Sequence, residues 1–391
     1  MEYLRRAWAD VSLDDLEHNY RALREKMPSS CRFLGVVKAD AYGHGAVPVS
    51  RHLTQLGAEY LAVSNIEEAV QLRRGGIRGP ILILGYTPPF YAQDLAAMGL
   101  QQEVHSLEYA EVLEQRLEGT NRRLRVHIKL DTGMSRLGFF AYDHEKTIDE
   151  LKQVAQMKHL LIEGIFMHFC VADSIDGADA NFTHTQFERF TAMLDTLRSV
   201  GIAPEIRHCC NSGASILYPQ YALDMIRPGI ATYGLLPSED LRGRIDLKPV
   251  MQLRATISQI RNFEPNITVS YGRTYTTEEP ERIAVLGIGY ADGLSRSFSN
   301  NLSFLLHGRR VPQIGRICMD MCMVDITRVP ETKVGDIVTV FGTDGGDEIE
   351  VSSMAHRLGT ISYELLCGIN KRIPRVYHDG ENETEILQYI V

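Results

Sequence analysis

Phe33-Leu34-Gly35-Val36-Val37-Lys38-Ala39-Asp40-Ala41-Tyr42-Gly43-His44-Gly45 is the stretch on which the fold turns. Phe33 to Val37 is apolar and rich in β-branched residues, and turn residues bound it, so it reads as a short buried strand. A glycine-rich turn follows. Helical spacing then runs from His44 to Leu56. The turn lacks the G-x-G-x-x-G pattern of a dinucleotide site, which argues against an open doubly wound sheet. Lys38 ends the strand. Burial costs a charged ammonium several kcal/mol unless it is paired or its pKa falls. A lysine with a lowered pKa is a nucleophile that can form a Schiff base with an aldehyde.

Outward from this unit, strand-like and helix-like segments alternate. Leu13 to Met27 is helical in spacing, with Ser12 as N-cap and Asp15 three residues on. Further strands are expected at Tyr60–Ser64, Ile81–Gly85, Glu103–Ser106, Leu124–Leu130, Leu161–Phe169, Glu205–Asn211 and Leu223–Ile230. Helices are expected at Ile66–Arg74, Leu107–Leu117, His144–Met157 and Phe182–Val200. About eight βα units in roughly 230 residues fit a closed parallel barrel. Beyond Leu247 helical spacing nearly vanishes. Strand-like runs appear at Met251–Ile260, Ile283–Gly289, Ile337–Phe341 and Glu348–Val351, which predicts a mostly β domain. The fold class is therefore α/β, a (βα)8 barrel over residues 1–245 followed by a mostly β domain over 246–391. The boundary falls in Pro237–Pro249, and residues 1–11 are free to pair with either domain.

A chain of 391 residues exceeds one ordinary core, which agrees with two domains. A net charge of -9 without a long basic block argues against nucleic acid as a partner. Seven cysteines form neither a disulfide framework nor a zinc ribbon, and no metal site is expected. The start, Met1-Glu2-Tyr3-Leu4-Arg5-Arg6, has no apolar leader, and no run approaches about 18 apolar residues, so a cytoplasmic protein without a membrane span is expected.

Barrel active sites are built at the C-terminal ends of the strands. Unusual polar residues stand there: Lys38, Lys129, Arg136, His168, Asn211, Ser212, Arg227 and Gly229. Loops after the seventh and eighth strands of many barrels bind phosphate. Asn211-Ser212-Gly213 and Arg227-Pro228-Gly229-Ile230 occupy those places. A Schiff-base lysine facing a phosphate site points to a phosphorylated aldehyde, with pyridoxal 5′-phosphate (PLP) as the leading cofactor.

The motifs also carry a resemblance. The Lys38 run, Lys129-Leu130-Asp131-Thr132-Gly133-Met134-Ser135-Arg136, Ser270-Tyr271-Gly272, Gly289-Tyr290-Ala291-Asp292-Gly293, Cys318-Met319-Asp320 and Ile361-Ser362-Tyr363-Glu364 resemble those of alanine racemases, nearly end to end. The resemblance implies a PLP enzyme interconverting L- and D-alanine, supplying D-alanine for peptidoglycan. Lys38 would hold the cofactor and be the base on one face of the substrate Cα. Tyr271 of the partner subunit would be the base on the other, which makes the enzyme a head-to-tail homodimer. Arg227 would hydrogen-bond the pyridine nitrogen, with His168 behind it. Arg136 would meet the phenolic oxygen and lie near the substrate carboxylate. Tyr42, Asn211, Ser212, Gly229, Ile230 and Tyr363 would complete the cofactor site. Met319, Asp320 and Tyr290 of the partner subunit would approach the substrate and its entrance. Lys129 would be carbamylated, giving an anion that orients Arg136.

Met321 departs from the glutamine common in that family. Tyr86-Thr87-Pro88-Pro89 and Phe169-Cys170-Val171-Ala172-Asp173 are similar instead to the racemase domains of membrane-bound serine racemases, so serine or dual alanine/serine racemisation is an alternative. Tyr363 favours alanine, because a bulky ring beside the substrate side chain suits a methyl better than a hydroxymethyl. A PLP-dependent decarboxylase would need a protonated ring nitrogen, which a cationic Arg227 does not favour. A non-catalytic PLP-binding barrel would have no use for the β domain.

Overall fold

The computed structural model describes residues 5–390. The first four residues, part of the N-terminal stretch read as leaderless, lie outside it. The chain divides into two compact units. One is made of Glu17–Ala41 and Ala46–Lys248, the other of residues 5–16, Tyr42–Gly45 and residues 249–390.

The larger unit is the expected parallel barrel. Its eight principal strands among the described residues are Arg32–Val36, Tyr60–Val63, Ile81–Ile83, Leu100–Val104, Leu124–Asp131, Leu160–Phe166, Ile206–His208 and Met225–Ile226. The first seven pair in parallel in that order, and Met225–Ile226 returns to pair with Arg32 and Phe33. The seam between the last two strands is closed otherwise. Asp224 N donates to Arg207 O at 3.0 Å, and the Asp224 carboxylate accepts from Arg207 N and Nε at 2.8 and 2.7 Å. Continuous burial of strands such as Tyr60–Val63 and Ile81–Ile83 is what helices outside a parallel sheet produce.

The helices Ile66–Arg74 and Leu107–Leu117 fall where their spacing places them, capped by Asn65 and Ser106. Ser12 caps the first helix, accepting from Asp15 N at 3.1 Å. The fourth strand is a correction. It runs Leu100–Val104, not Glu103–Ser106, and Ser106 already belongs to the next helix as its cap. Gln101, Gln102 and Glu103 are buried, so polar residues in core positions hid the strand.

In the smaller unit Met251–Phe263 alternates buried and half-buried residues from Met251 to Ile257, the period-2 pattern of a half-buried strand. A register shift between Ile257 and Gln259 lets it serve several neighbours. It pairs with Ala7–Ser12, Glu281–Leu286 and Ile337–Asp344, all antiparallel. The last pairing closes a ring through Ser303–Leu306, Arg309–Ile314 and Cys322–Asp325, so the strands of the ring pair on both sides. Ala7–Ser12 also pairs in parallel with Arg375–Asp379.

Candidate active site

The first barrel strand ends in an unusual turn. Ala39, Asp40, Ala41 and Tyr42 have φ of 51°, 56°, 54° and 53°, a left-handed helical turn built without glycine. L-residues disfavour that conformation by roughly 1–2 kcal/mol each, so the surroundings must impose it. The Glu68 carboxylate accepts from Ala39 N and from Ser64 N, both at 2.7 Å, tying the turns after the first two strands together. Asp40 Oδ1 accepts from Ala46 N at 2.8 Å. In the other unit, Arg375 Nε donates to Gly43 O at 2.9 Å and the Tyr377 hydroxyl to His44 O at 2.7 Å. Lys38 opens this turn, half-buried.

Four basic side chains converge near His168. Burial first, then the charges of Lys129, Arg227, Arg136 and Lys38, hold the His168 imidazole well below its ordinary 6.5. Lys38 and Arg227 stand just after the first and eighth strands, Lys129 lies on the fifth and Arg136 in the loop after it. Buried Lys129 lies 4.7 Å from the Phe166 ring centroid. Burial, then Arg227 and Arg136, lowers its ammonium well below 10.5, which favours the neutral amine. Exposed Arg136 makes no hydrogen bond or ion pair among the described residues.

Arg227 is lowered to about 10 by burial and stays charged at neutral pH. Its Nη2 donates to Met167 O at 2.7 Å and Cys209 O at 3.1 Å. His168 Nδ1 stands 3.5 Å from Nη2, whereas His208 Nδ1 lies 2.9 Å from Nη1. His208 is the nearer support and was not singled out in the sequence. Its signal was a polar residue at a core-facing strand position. Asn211 caps Ser212–Leu217 through Ala214 N at 3.0 Å. Ser212 Oγ accepts from Gly229 N at 2.9 Å and Ala231 N at 3.3 Å, bringing Ser212, Gly229 and Ile230 together. An oxygen that accepts twice keeps its own proton to donate to an anion.

Tyr42 and Tyr363 meet in the smaller unit, rings 5.9 Å apart. Tyr271, Tyr290 and Met319 are exposed there by 69%, 42% and 53%. Tyr290 N donates to Cys318 O at 3.0 Å and Ala291 N to Met319 O at 2.9 Å, so those two loops are joined. Arg372 Nη2 pairs with Asp320 at 2.7 Å. Beside the Tyr271 turn lies a cleft of ≈ 360 Å³ lined by Thr274, Arg296, Ser297, Ser299, Asn300 and Arg316. Arg296 was not foreseen.

Residues 11–237 match the family model "Alanine racemase, N-terminal domain", and residues 250–377 match "Alanine racemase, C-terminal domain". Alanine racemase 2 of Caldanaerobacter subterraneus subsp. tengcongensis is 40% identical over 374 residues, covering 96% of this chain and 95% of that protein. The solved alanine racemase of Clostridium difficile 630 superposes with a TM-score of 0.95 at 36% identity, covering 100% of both chains. That of Bacillus anthracis, with bound L-Ala-P, gives 0.93 at 32% identity, covering 100% of this chain and 99% of the other. With both family models matched in order and relatives similar over nearly the whole length, the chain belongs to the alanine racemase family of isomerases.

Proposed function

We propose that the protein is a PLP-dependent, two-base racemase interconverting L- and D-alanine. The observation that carries this is the convergence of Lys38, Lys129, Arg136 and Arg227 around His168. Even with Lys129 neutral, so many basic side chains in one place suit an anionic cofactor and a carboxylate substrate. The residues fit the cofactor: Ser212 retains a proton for a phosphate oxygen, and Arg136 and Arg227 are donors only.

Lys38 would hold PLP covalently, Tyr42, Ser212, Gly229, Ile230 and Tyr363 would bind its phosphate, Asn211 would help form the cofactor site, and Arg136 would meet the phenolic oxygen. When bound, PLP withdraws electrons from the substrate Cα and makes its proton acidic. Lys38 Nζ takes or returns that proton on one face. The Tyr271 hydroxyl of the partner subunit does so on the other, since inversion needs one group to remove a proton and a second to return one. Arg227, which offers donors and no acceptor, would face the ring nitrogen and leave it unprotonated, which would moderate electron withdrawal and limit misplaced protonation. Arg136, with Met319 and Asp320 of the partner subunit, orients the substrate carboxylate. Tyr290 of the partner subunit lines its approach.

The exposed tyrosines and methionine support a head-to-tail homodimer in which they face a second copy. No helix among the described residues is long and apolar enough to cross a membrane. The cytoplasmic location and the supply of D-alanine for peptidoglycan rest on the likeness to alanine racemases alone. The deciding experiment is a racemisation assay across L-amino acids with the cofactor spectrum recorded alongside. L-alanine should give the highest kcat/KM, with slower L-serine turnover. A higher value for L-serine would transfer the assignment to serine, and an enzyme without cofactor absorbance would reject the reading.

A further inference from the structure

The polar contacts of Arg227 continue into the barrel. Arg227 Nη1 lies 2.9 Å from His208 Nδ1, and His208 Nε2 lies 2.8 Å from His127 Nδ1. A guanidinium has only donors, so His208 Nδ1 must accept. Both imidazoles are neutral, because burial and the Arg227 charge lower His127 to about 3 and His208 well below 6.5. A neutral ring that accepts at Nδ1 carries its proton on Nε2. His208 Nε2–H therefore donates to His127 Nδ1, and His127 in turn carries its proton on Nε2. Arg227 and His127 thus select the same His208 tautomer from its two ends, one as donor to Nδ1 and the other as acceptor from Nε2.

The barrel is shaped around this chain. The Phe166 ring stacks on His208 at 4.8 Å and 8°. Gly164, the register partner of His127, leaves room for the imidazole, which a Cβ at that position would overlap. On the other side His127 is in register with Glu103. His127 Nε2, Gln101 Oε1 and Glu103 Oε2 are buried without a protein partner, so the chain ends as a donor beside a strand that carries unused acceptors.

We infer that His127 is a positioning residue for Arg227: by accepting from His208 it locks the tautomer that receives the guanidinium and so fixes where Arg227 points. The inference rests on the proposed function only in taking the cofactor ring nitrogen as what Arg227 faces.

Two variants of the holoenzyme test it. His127→Gln keeps a side-chain acceptor, whereas His127→Leu keeps bulk without one. With ¹⁵N-labelled histidine, the wild type should show His208 protonated at Nε2. In His127→Leu that signature should shift, and pyruvate released per racemisation turnover should rise about tenfold, the scale of one lost buried hydrogen bond. His127→Gln should stay near wild type in both. An Nδ1-protonated His208 in the wild type overturns the chain whatever the cofactor does. Unchanged pyruvate release in His127→Leu, with the His208 signature shifted, overturns the positioning role. Absence of cofactor absorbance in the wild type would instead reject the proposed function and leave the tautomer result standing.

Discussion

Ser270 Oγ donates to the Arg316 carbonyl at 2.6 Å, joining two residues 46 positions apart. The bond secures a strained corner: Ser270, Gly272 and Arg273 have φ of 66°, 70° and 49°, and Tyr271 projects from between them. Replacing Ser270 with alanine removes the tie without filling space. Turnover should drop several-fold to tenfold, consistent with about 0.5–1.5 kcal/mol for the bond, while the melting temperature changes little. Steady-state kinetics beside a thermal melt check this, and an unchanged kcat would contradict it.

Tyr271→Phe removes one hydroxyl from an exposed ring and no core contact. The variant should keep its stability and its cofactor absorbance and lose at least about 100-fold in turnover, the low end for an acid–base group. A non-catalytic cofactor carrier would be indifferent to the change.

Burial and the nearby Arg227 and Arg136 disfavour the Lys129 ammonium, and its amine form should take up dissolved carbon dioxide and lose a proton to give a carbamate, an anion near Arg136. A carbamate resonance after incubation with ¹³C-bicarbonate, absent in Lys129→Ala, is the expected result. A crystal structure showing an unmodified amine at ample bicarbonate would sink the assignment.

Gly45 has φ +93°, and a Cβ there would overlap the Tyr377 hydroxyl and approach Leu387 Cδ2 to 2.8 Å. Gly45→Ala should lower unfolding free energy by about 3 kcal/mol or more, combining a strained backbone with a displaced buried tyrosine. Denaturant titration measures it directly.

Acid should expose the buried histidines. His127 at about 3, and His208 also depressed, are neutral when folded, whereas the unfolded chain protonates them near 6.5. Their contribution is complete above about pH 6.5 and fades as pH falls toward the folded values. The melting temperature should therefore decline from about pH 6.5 downward, less steeply in His127→Gln. Equal slopes in the two proteins would contradict that share of the effect.

The helices Ile66–Arg74 and Leu107–Leu117 were legible to the residue because their apolar spacing is regular and a capping side chain precedes each. The fourth barrel strand was misplaced because Gln101 to Glu103 break the apolar rule for buried strands. In the smaller unit Ser303–Leu306 and Cys322–Asp325 went unread, being four-residue strands whose pairing is set by distant partners. At the site, Lys38 and Arg227 stood out as charges at strand ends. His127 and His208 did not, since a histidine inside a strand means nothing until its neighbour across the barrel is known. The left-handed turn had no signature either. Ala39 to Tyr42 are ordinary residues, and the bonds that impose their conformation come from Glu68 and from beyond residue 370.

That last dependence bears on how the chain can be cut. A fragment ending near residue 248 would carry every barrel strand and Lys38 itself. It would lack Arg375 and Tyr377, whose bonds hold Gly43 and His44 immediately after the left-handed turn. Released from them, the lysine's own segment is free to relax into a commoner backbone. The barrel is thus no portable module: expressed alone, or grafted as a cassette, it would keep its architecture and lose the tension that presents its lysine.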